Sequence, residues 1–134
     1  MLLTILATLT LYVIQSLLPA YHRWVIGNRI QISAALGPRD NPPELTILGA
    51  RRDRAHRNRQ EALIVFLPLS VLCHHYNVAT CPALAGAVTF LIARIAYIPA
   101  YTLGIFGLRS AIWIVGHTGL GIMAFVLMTA TGTA

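Results

Sequence analysis

The sequence predicts an all-α integral membrane protein whose single domain, residues 1–134, is a bundle of four transmembrane helices. Hydrophobic residues make up 57% of the chain and charged residues only 10%, whereas soluble domains contain about 45–50% apolar and about 25% charged residues. Most of the charges also fall in one segment of the chain. Disorder needs low hydrophobicity and a disulfide scaffold needs more than two cysteines, so the composition excludes both.

Four stretches are assigned as spanning helices, because about 20 apolar residues at a rise of about 1.5 Å each cross a bilayer. The predicted helices cover about residues 2–22, 54–76, 82–107 and 110–131, with a loop at 23–53. A secretory signal peptide is the alternative for the first stretch. That stretch lacks a basic start and a small-residue cleavage site, which favours a helix of the mature protein.

The basic residues predict the orientation of the bundle. All ten are arginine, and eight of them lie between residues 23 and 59. Four helices place that segment and the turn before Arg109 on one side of the membrane, with both termini on the other. Because cytoplasmic loops carry an excess of arginine and lysine, the arginine-rich side is predicted to be cytoplasmic. Phospholipid headgroups satisfy the short basic run at 51–54, so nucleic acid is not an expected partner.

One group of polar residues recurs at helical spacing in the second predicted helix. Arg54, Arg57, Asn58 and Glu61 stand at i, i+3, i+4 and i+7, which places them in one stripe on a helix. The stripe is either a solvated helix end with an Arg57–Glu61 pair or a polar face directed into the bundle. A carboxylate at the edge of the hydrocarbon is costly unless it is paired.

The third predicted helix carries a similar group in Arg94, Tyr97 and Tyr101. Arg94 lies too deep to be an end charge, so it is expected to face the bundle interior and to need a partner. Glu61 is the only acidic residue near membrane depth, which makes a structural Arg94–Glu61 ion pair the expectation. Tyr97 is either an interfacial belt residue or, with Tyr101, part of a pocket.

Arg109 and Ser110 begin the fourth predicted helix. Arg109 is either a positive-inside anchor or a cation that holds an anionic ligand or a thiolate. Ser110 fits an N-cap. At the other end of the bundle, Cys73 and Cys81 flank a short turn, so a disulfide is conceivable. A metal site needs three or four converging ligands, and none is predicted.

These residues carry a family resemblance. The segment Arg54-Ala55-His56-Arg57-Asn58, with Glu61 three residues further on, resembles the signature of the MAPEG family, the membrane-associated proteins in eicosanoid and glutathione metabolism. The resemblance extends upstream and downstream of that segment, to Gly27-Asn28-Arg29, Pro38-Arg39-Asp40, Arg94, Tyr97, Tyr101 and Arg109-Ser110.

The resemblance implies a homotrimer of four-helix subunits that binds glutathione as a co-substrate, without a metal, between neighbouring subunits near the cytoplasmic side. It also implies roles for individual residues. Arg109 would be the catalytic residue that stabilises the glutathione thiolate, while Asp40 and Ser110 would assist. The residues implied to bind glutathione are Arg29, Arg54, His56, Arg57, Asn58, Glu61, Tyr97 and Tyr101.

Two functions follow from the sequence. The first is a glutathione-dependent transferase or peroxidase, of the microsomal glutathione transferase type, that acts on lipophilic electrophiles arriving through the bilayer. The second is a non-catalytic bundle whose arginines bind an anionic lipid or metabolite. Guanidinium groups suit a tripeptide with two carboxylates, and a fixed cation lowers the pKa of a thiol. The compact chain resembles the bacterial members, so the bacterial inner membrane is the expected location.

Overall fold

The computed structural model describes residues 1–26, 29–30, 47–105 and 107–132, without the side chains of residues 18–30, 48 and 102. Four helices account for most of the described residues, and a hairpin of two-residue strands follows the first helix. In chain order the elements are α1 (Leu2–Trp24), β1 (Val25–Ile26), β2 (Arg29–Ile30), α2 (Ile47–His75), α3 (Cys81–Leu103) and α4 (Leu108–Ala130). The two strands are antiparallel, with Val25 opposite Ile30.

The second helix is longer than the sequence predicts. It begins at Ile47 rather than near residue 54, so the end of the predicted loop at 23–53 is helical. The added turns contain alanine and arginine, which are good helix formers, and Asp53 forms an i,i+4 ion pair with Arg57 at 3.5 Å. Of residues 27–46 in the predicted loop, the structure describes only the backbone of 29–30. The other residues of that range fall outside the described part of the chain.

The turn between α3 and α4 begins earlier than the predicted boundary near residue 107. Gly104, directly after α3, has φ +72° and ψ 29°, the left-handed conformation in which helices commonly end. Gly107, directly before α4, also has a positive φ of +76°. Because glycine adopts such angles without a steric penalty, the chain reverses within a few residues. This turn brings the first residues of α4 close to the end of α3.

Among the described residues, two helices are long and apolar enough to cross a membrane. They are α3 over Cys81–Tyr101 and α4 over Leu108–Ala130. The part of α1 whose side chains are described is apolar over Leu2–Leu17, and the first half of α2 carries arginines. Large apolar side chains such as Ile64 and Phe125 are exposed on the outside of the bundle. Surfaces of this kind are suited to lipid or to another subunit.

The close pairing of α3 and α4 depends on two buried glycines. A Cβ on Gly119 would lie 2.5 Å from the carbonyl oxygen of Gly86, and a Cβ on Gly86 would lie 2.6 Å from that of Gly119. Small residues at a helix crossing allow this close backbone approach. Beside the crossing, the rings of Phe66 on α2 and Phe90 on α3 stack with centroids 4.5 Å apart. The apolar core therefore fixes α2, α3 and α4 relative to one another.

The cysteine pair considered in the sequence does not form a disulfide. Cys73 is a buried free thiol near the end of α2, and Cys81 is an exposed free thiol at the start of α3. The turn between them is held by backbone hydrogen bonds, including one from the Val78 amide to the Cys73 carbonyl at 2.9 Å.

Gly119→Ala is expected to lower the free energy of unfolding by about 1–3 kcal/mol, because the new methyl group would overlap the backbone of α3. Gly121→Ala is the matched control, since a Cβ at Gly121 meets nothing within 4 Å. Thermal unfolding in detergent measures both variants. Equal melting temperatures for the two variants and the parent chain would contradict the close α3–α4 contact.

Candidate functional site

A cleft of about 630 Å³ opens between α2, α3 and the first turns of α4. We call it the main cleft. It is lined by Arg54, Arg57, Asn58, Glu61, Tyr97, Tyr101, Arg109, Ser110, Trp113 and Ile114. Three separate segments of the sequence therefore contribute side chains to a single cleft.

The polar stripe of α2 forms one wall of the main cleft. Its four members, at i, i+3, i+4 and i+7, all line the cleft, as one face of a continuous helix allows. Arg57 pairs with Asp53, one turn earlier, at 3.5 Å. No ion pair between Arg57 and Glu61 occurs in the part of the chain that the structure describes. The stripe is therefore a cleft wall rather than a solvated helix end closed by an Arg57–Glu61 pair.

Tyr101 connects the three helices around the main cleft. Its hydroxyl oxygen accepts a hydrogen bond from Nε of Arg54 on α2 at 3.3 Å. The guanidinium carbon of Arg109 on α4 lies 5.5 Å from the centroid of the Tyr101 ring, within the range of a cation–π contact. The Tyr97 ring, one turn earlier on α3, is 5.5 Å from the Tyr101 ring. Tyr101 therefore contacts Arg54 through its hydroxyl group and Arg109 through its ring.

Arg94 is buried, as its position in α3 predicts, but its partner differs from the expected one. It is 1% exposed, and its Nη1 donates a hydrogen bond to Oδ1 of Asn58 at 3.1 Å. Its guanidinium carbon lies 4.9 Å from the Phe90 ring centroid and 5.7 Å from that of Tyr97. These two rings hold the guanidinium against α2 at the level of Asn58, one turn from Glu61. Within the described ranges, no ion pair joins Arg94 to Glu61, which is exposed in the main cleft.

Gly116 on α4 provides the space for this arginine. A Cβ at Gly116 would lie 3.3 Å from the Ala93 Cβ and 3.4 Å from Nη2 of Arg94. The guanidinium therefore lies against the backbone of α4, between two helices and two aromatic rings. The absence of a side chain at Gly116 is part of what lets a charged group fit inside the bundle.

Arg59 is the buried charge that sequence reasoning missed. It belongs to the arginine-rich segment 23–59 that is predicted to be cytoplasmic, yet it is 3% exposed and its Nη2 donates to the carbonyl oxygen of Arg94 at 2.8 Å. A signal was present in the spacing, because Arg59 continues the series of buried α2 positions 55, 62, 66, 70 and 73. That spacing is typical of the face a helix directs into a bundle.

The apolar side of the main cleft was also missed. Trp113 and Ile114 on α4 line it, one turn after Arg109 and Ser110. Because residues four apart share a helix face, the spacing from Arg109 could have indicated Trp113, and the spacing from Ser110 could have indicated Ile114. They give the cleft an apolar wall in addition to the charged stripe of α2.

Three predicted site residues are not among the described residues that line the main cleft. His56 faces α1, where its ring stacks on Tyr12 with centroids 5.4 Å apart, and it does not line the main cleft. Arg29 lies in β2, but its side chain falls outside the described part of the chain. Asp40 lies outside the described residues altogether.

Comparison with known proteins gives one match. The model of the MAPEG family matches residues 1–129 of the chain. Neither a curated protein nor a solved structure matches it.

Asn58→Ala is expected to destabilise the fold by about 1–3 kcal/mol, because it removes the acceptor of a buried guanidinium. Asn58→Asp keeps an acceptor oxygen and adds an opposite charge, so it should be at least as stable as the parent chain. Thermal unfolding of both variants tests this assignment. An Asn58→Ala variant as stable as Asn58→Asp would show that the contact with Arg94 is not required.

Proposed function

The chain belongs to the MAPEG family, and we propose that it is a membrane-bound transferase or peroxidase that uses glutathione. MAPEG is a membrane family, and the apolar α3 and α4 agree with a membrane protein. The observation that carries the proposal is the main cleft, where three guanidinium groups, one carboxylate and two phenols converge beside an apolar wall. Its volume of about 630 Å³ lies within the range of small-molecule sites, about 300–1,000 Å³.

The charges of the main cleft complement those of glutathione, a tripeptide with two carboxylates, one ammonium group and a thiol. Arg54 and Arg57 are assigned to the carboxylates, since guanidinium groups form planar, bidentate hydrogen bonds with them. Glu61 is the one acidic residue among those that line the cleft, and we assign it to the ammonium group. Asn58 and Tyr97 complete the polar surroundings of the peptide.

Arg109 is assigned to the sulfur. A thiol attacks as its thiolate, and a neighbouring fixed cation lowers the thiol pKa. Arg109 lies in the first turn of α4, where the positive end of the helix dipole adds to its charge. Tyr101 holds the guanidinium from one side through its ring. In the transfer reaction the thiolate sulfur forms a bond to an electrophilic carbon, and the displaced group leaves with the electron pair of the broken bond.

The acceptor substrate is proposed to be lipophilic. Trp113 and Ile114 form the apolar wall next to Arg109, and both are exposed. An apolar compound dissolved in the bilayer could therefore reach the sulfur along α4 without crossing water. Apolar contact with an aromatic wall would hold such a compound without specifying its polar groups.

The assembly that we propose is a homotrimer in which α1 and the apolar half of α2 also span the membrane. The main cleft is open on one side, and apolar residues such as Ile64 and Val65 are exposed on α2. A neighbouring subunit would cover such a face and close the cleft around glutathione. The arginine-rich end of the bundle is assigned to the cytoplasmic side by the positive-inside rule, with the bacterial inner membrane as the location.

Arg109→Ala is expected to lower the fraction of bound glutathione that is ionised at neutral pH by about tenfold, the equivalent of one unit in the thiol pKa. Arg109→Lys keeps a cation at this position and should retain most of the thiolate. The ultraviolet absorbance of the thiolate, measured on purified protein with added glutathione, reports both. The proposal would be contradicted by a parent chain without a thiolate signal, or by an Arg109→Ala variant with unchanged signal and activity.

A further inference from the structure

A second cleft, of about 310 Å³, adjoins the main cleft at the turn between α3 and α4. We call it the turn cleft. It is lined by Arg51, Arg54, Tyr101, Gly104, Ile105, Gly107, Arg109 and Ser110. Four of these residues also line the main cleft, whereas Arg51, Gly104, Ile105 and Gly107 belong to the turn cleft alone.

The charges of the two clefts differ in kind. The main cleft combines arginines with the carboxylate of Glu61, whereas the residues that line the turn cleft include three arginines and no acidic side chain. The nearest acidic residue in sequence, Asp53, is paired with Arg57, which lines the main cleft. A ligand with an ammonium group would find no counter-charge among these lining residues. The turn cleft is suited instead to a group that carries only negative charge.

The geometry of the turn cleft suits a group with several oxygens. The guanidinium of Arg51 lies against the backbone of the turn, since a Cβ on Gly104 would be 2.6 Å from its Nη1. Arg109 and Ser110 lie in the first turn of α4, directly after Gly107, where the positive end of a helix favours phosphate. Guanidinium groups from α2 and α4 and a serine hydroxyl therefore face one small volume.

Exposed apolar residues next to the turn in sequence adjoin this cationic cleft. Leu103, Ile105 and Leu108 are 69%, 46% and 41% exposed, and Ile105 lines the cleft itself. The stretches of α3 and α4 that are long and apolar enough to cross a membrane end at Tyr101 and begin at Leu108, so the turn cleft lies at the end of both stretches. In a bilayer this is the depth at which charged headgroups meet acyl chains.

We infer that the turn cleft binds the phosphate of an anionic phospholipid, whose acyl chains lie against Leu103, Ile105 and Leu108. Charge complementarity selects the phosphate, and the exposed apolar residues select a lipid over a free anion. The inference does not rest on glutathione in the main cleft. Arg51, Gly104 and Gly107 line only the turn cleft, whereas Arg54, Arg109 and Ser110 line both clefts.

The test uses the full chain, purified in neutral detergent and freed of lipid, and titrated in a calorimeter with short-chain phosphatidylglycerol. Saturable binding is expected in the parent chain. Arg51→Gln should weaken this binding about tenfold, since it removes a charge-assisted contact to phosphate. Arg57→Gln is the matched control, because Arg57 lines only the main cleft, and it should bind the lipid as the parent chain does.

Two further titrations are needed. A titration with inorganic phosphate identifies the source of the phosphate, and a titration of Arg51→Lys with the lipid tests whether the loss in Arg51→Gln comes from misfolding. Inorganic phosphate should bind far more weakly than the lipid, and equal affinity would overturn the assignment to a lipid. Arg51→Lys keeps the charge and should bind the lipid more tightly than Arg51→Gln. An Arg51→Gln variant with the lipid affinity of the parent chain would overturn the inference. An Arg57→Gln variant that loses as much lipid affinity as Arg51→Gln would also overturn it. Failure of glutathione to bind the parent chain would overturn the proposed function and leave this result intact.

Discussion

The burial of Arg94 is the constraint on which the arrangement of the helices depends. A guanidinium group that is 1% exposed needs a hydrogen-bond acceptor, because an unpaired buried charge is costly. Asn58 supplies that acceptor on α2, and Phe90 and Tyr97 cover the guanidinium on α3. The contact fixes the rotation of α2 about its own axis. With Asn58 directed at α3, Arg54 one turn earlier and the adjacent Arg57 face the main cleft.

The same contact concentrates positive charge at one end of the bundle. Arg59 donates to the carbonyl of Arg94, so two guanidinium groups lie buried at the interface between α2 and α3. Around them, Tyr101 connects Arg54 to Arg109. The buried and exposed arginines together create a positive potential that draws anions towards the clefts. The carboxylate of Glu61 then distinguishes the two clefts, because it lines only the main cleft.

The all-helical architecture and much of the cleft could be predicted from local patterns. Helical spacing alone placed Arg54, Arg57, Asn58 and Glu61 in one stripe, and the structure brings that stripe together with Tyr97, Tyr101 and Arg109. Spacing within one helix does not specify which residue of a neighbouring helix lies opposite. The partner of Arg94 was for that reason expected to be the charged Glu61, whereas tertiary packing selected the neutral Asn58 one turn away.

Other differences have equally local causes. The helix α2 begins at Ile47, in a segment that was predicted to be a loop. Arginine and alanine in this segment have a high helix propensity, which favours the earlier start. Arg59 belongs to the arginine-rich segment that is predicted to be cytoplasmic, although its spacing follows the buried face of α2. His56 belongs to the recognised signature, but the direction of its side chain is set by stacking on Tyr12 of α1. Sequence similarity alone does not give the direction of a side chain.

The central claim, that the main cleft recognises glutathione through its arginines, is tested most directly by a calorimetric titration of the purified chain with glutathione in detergent. The account predicts saturable binding that weakens about tenfold in Arg57→Gln, since one charge-assisted contact to a carboxylate is lost. A glutathione derivative whose glycine carboxylate is amidated should show a comparable loss with the parent chain. Absence of saturable heat with glutathione, or equal affinity in Arg57→Gln, would contradict the account.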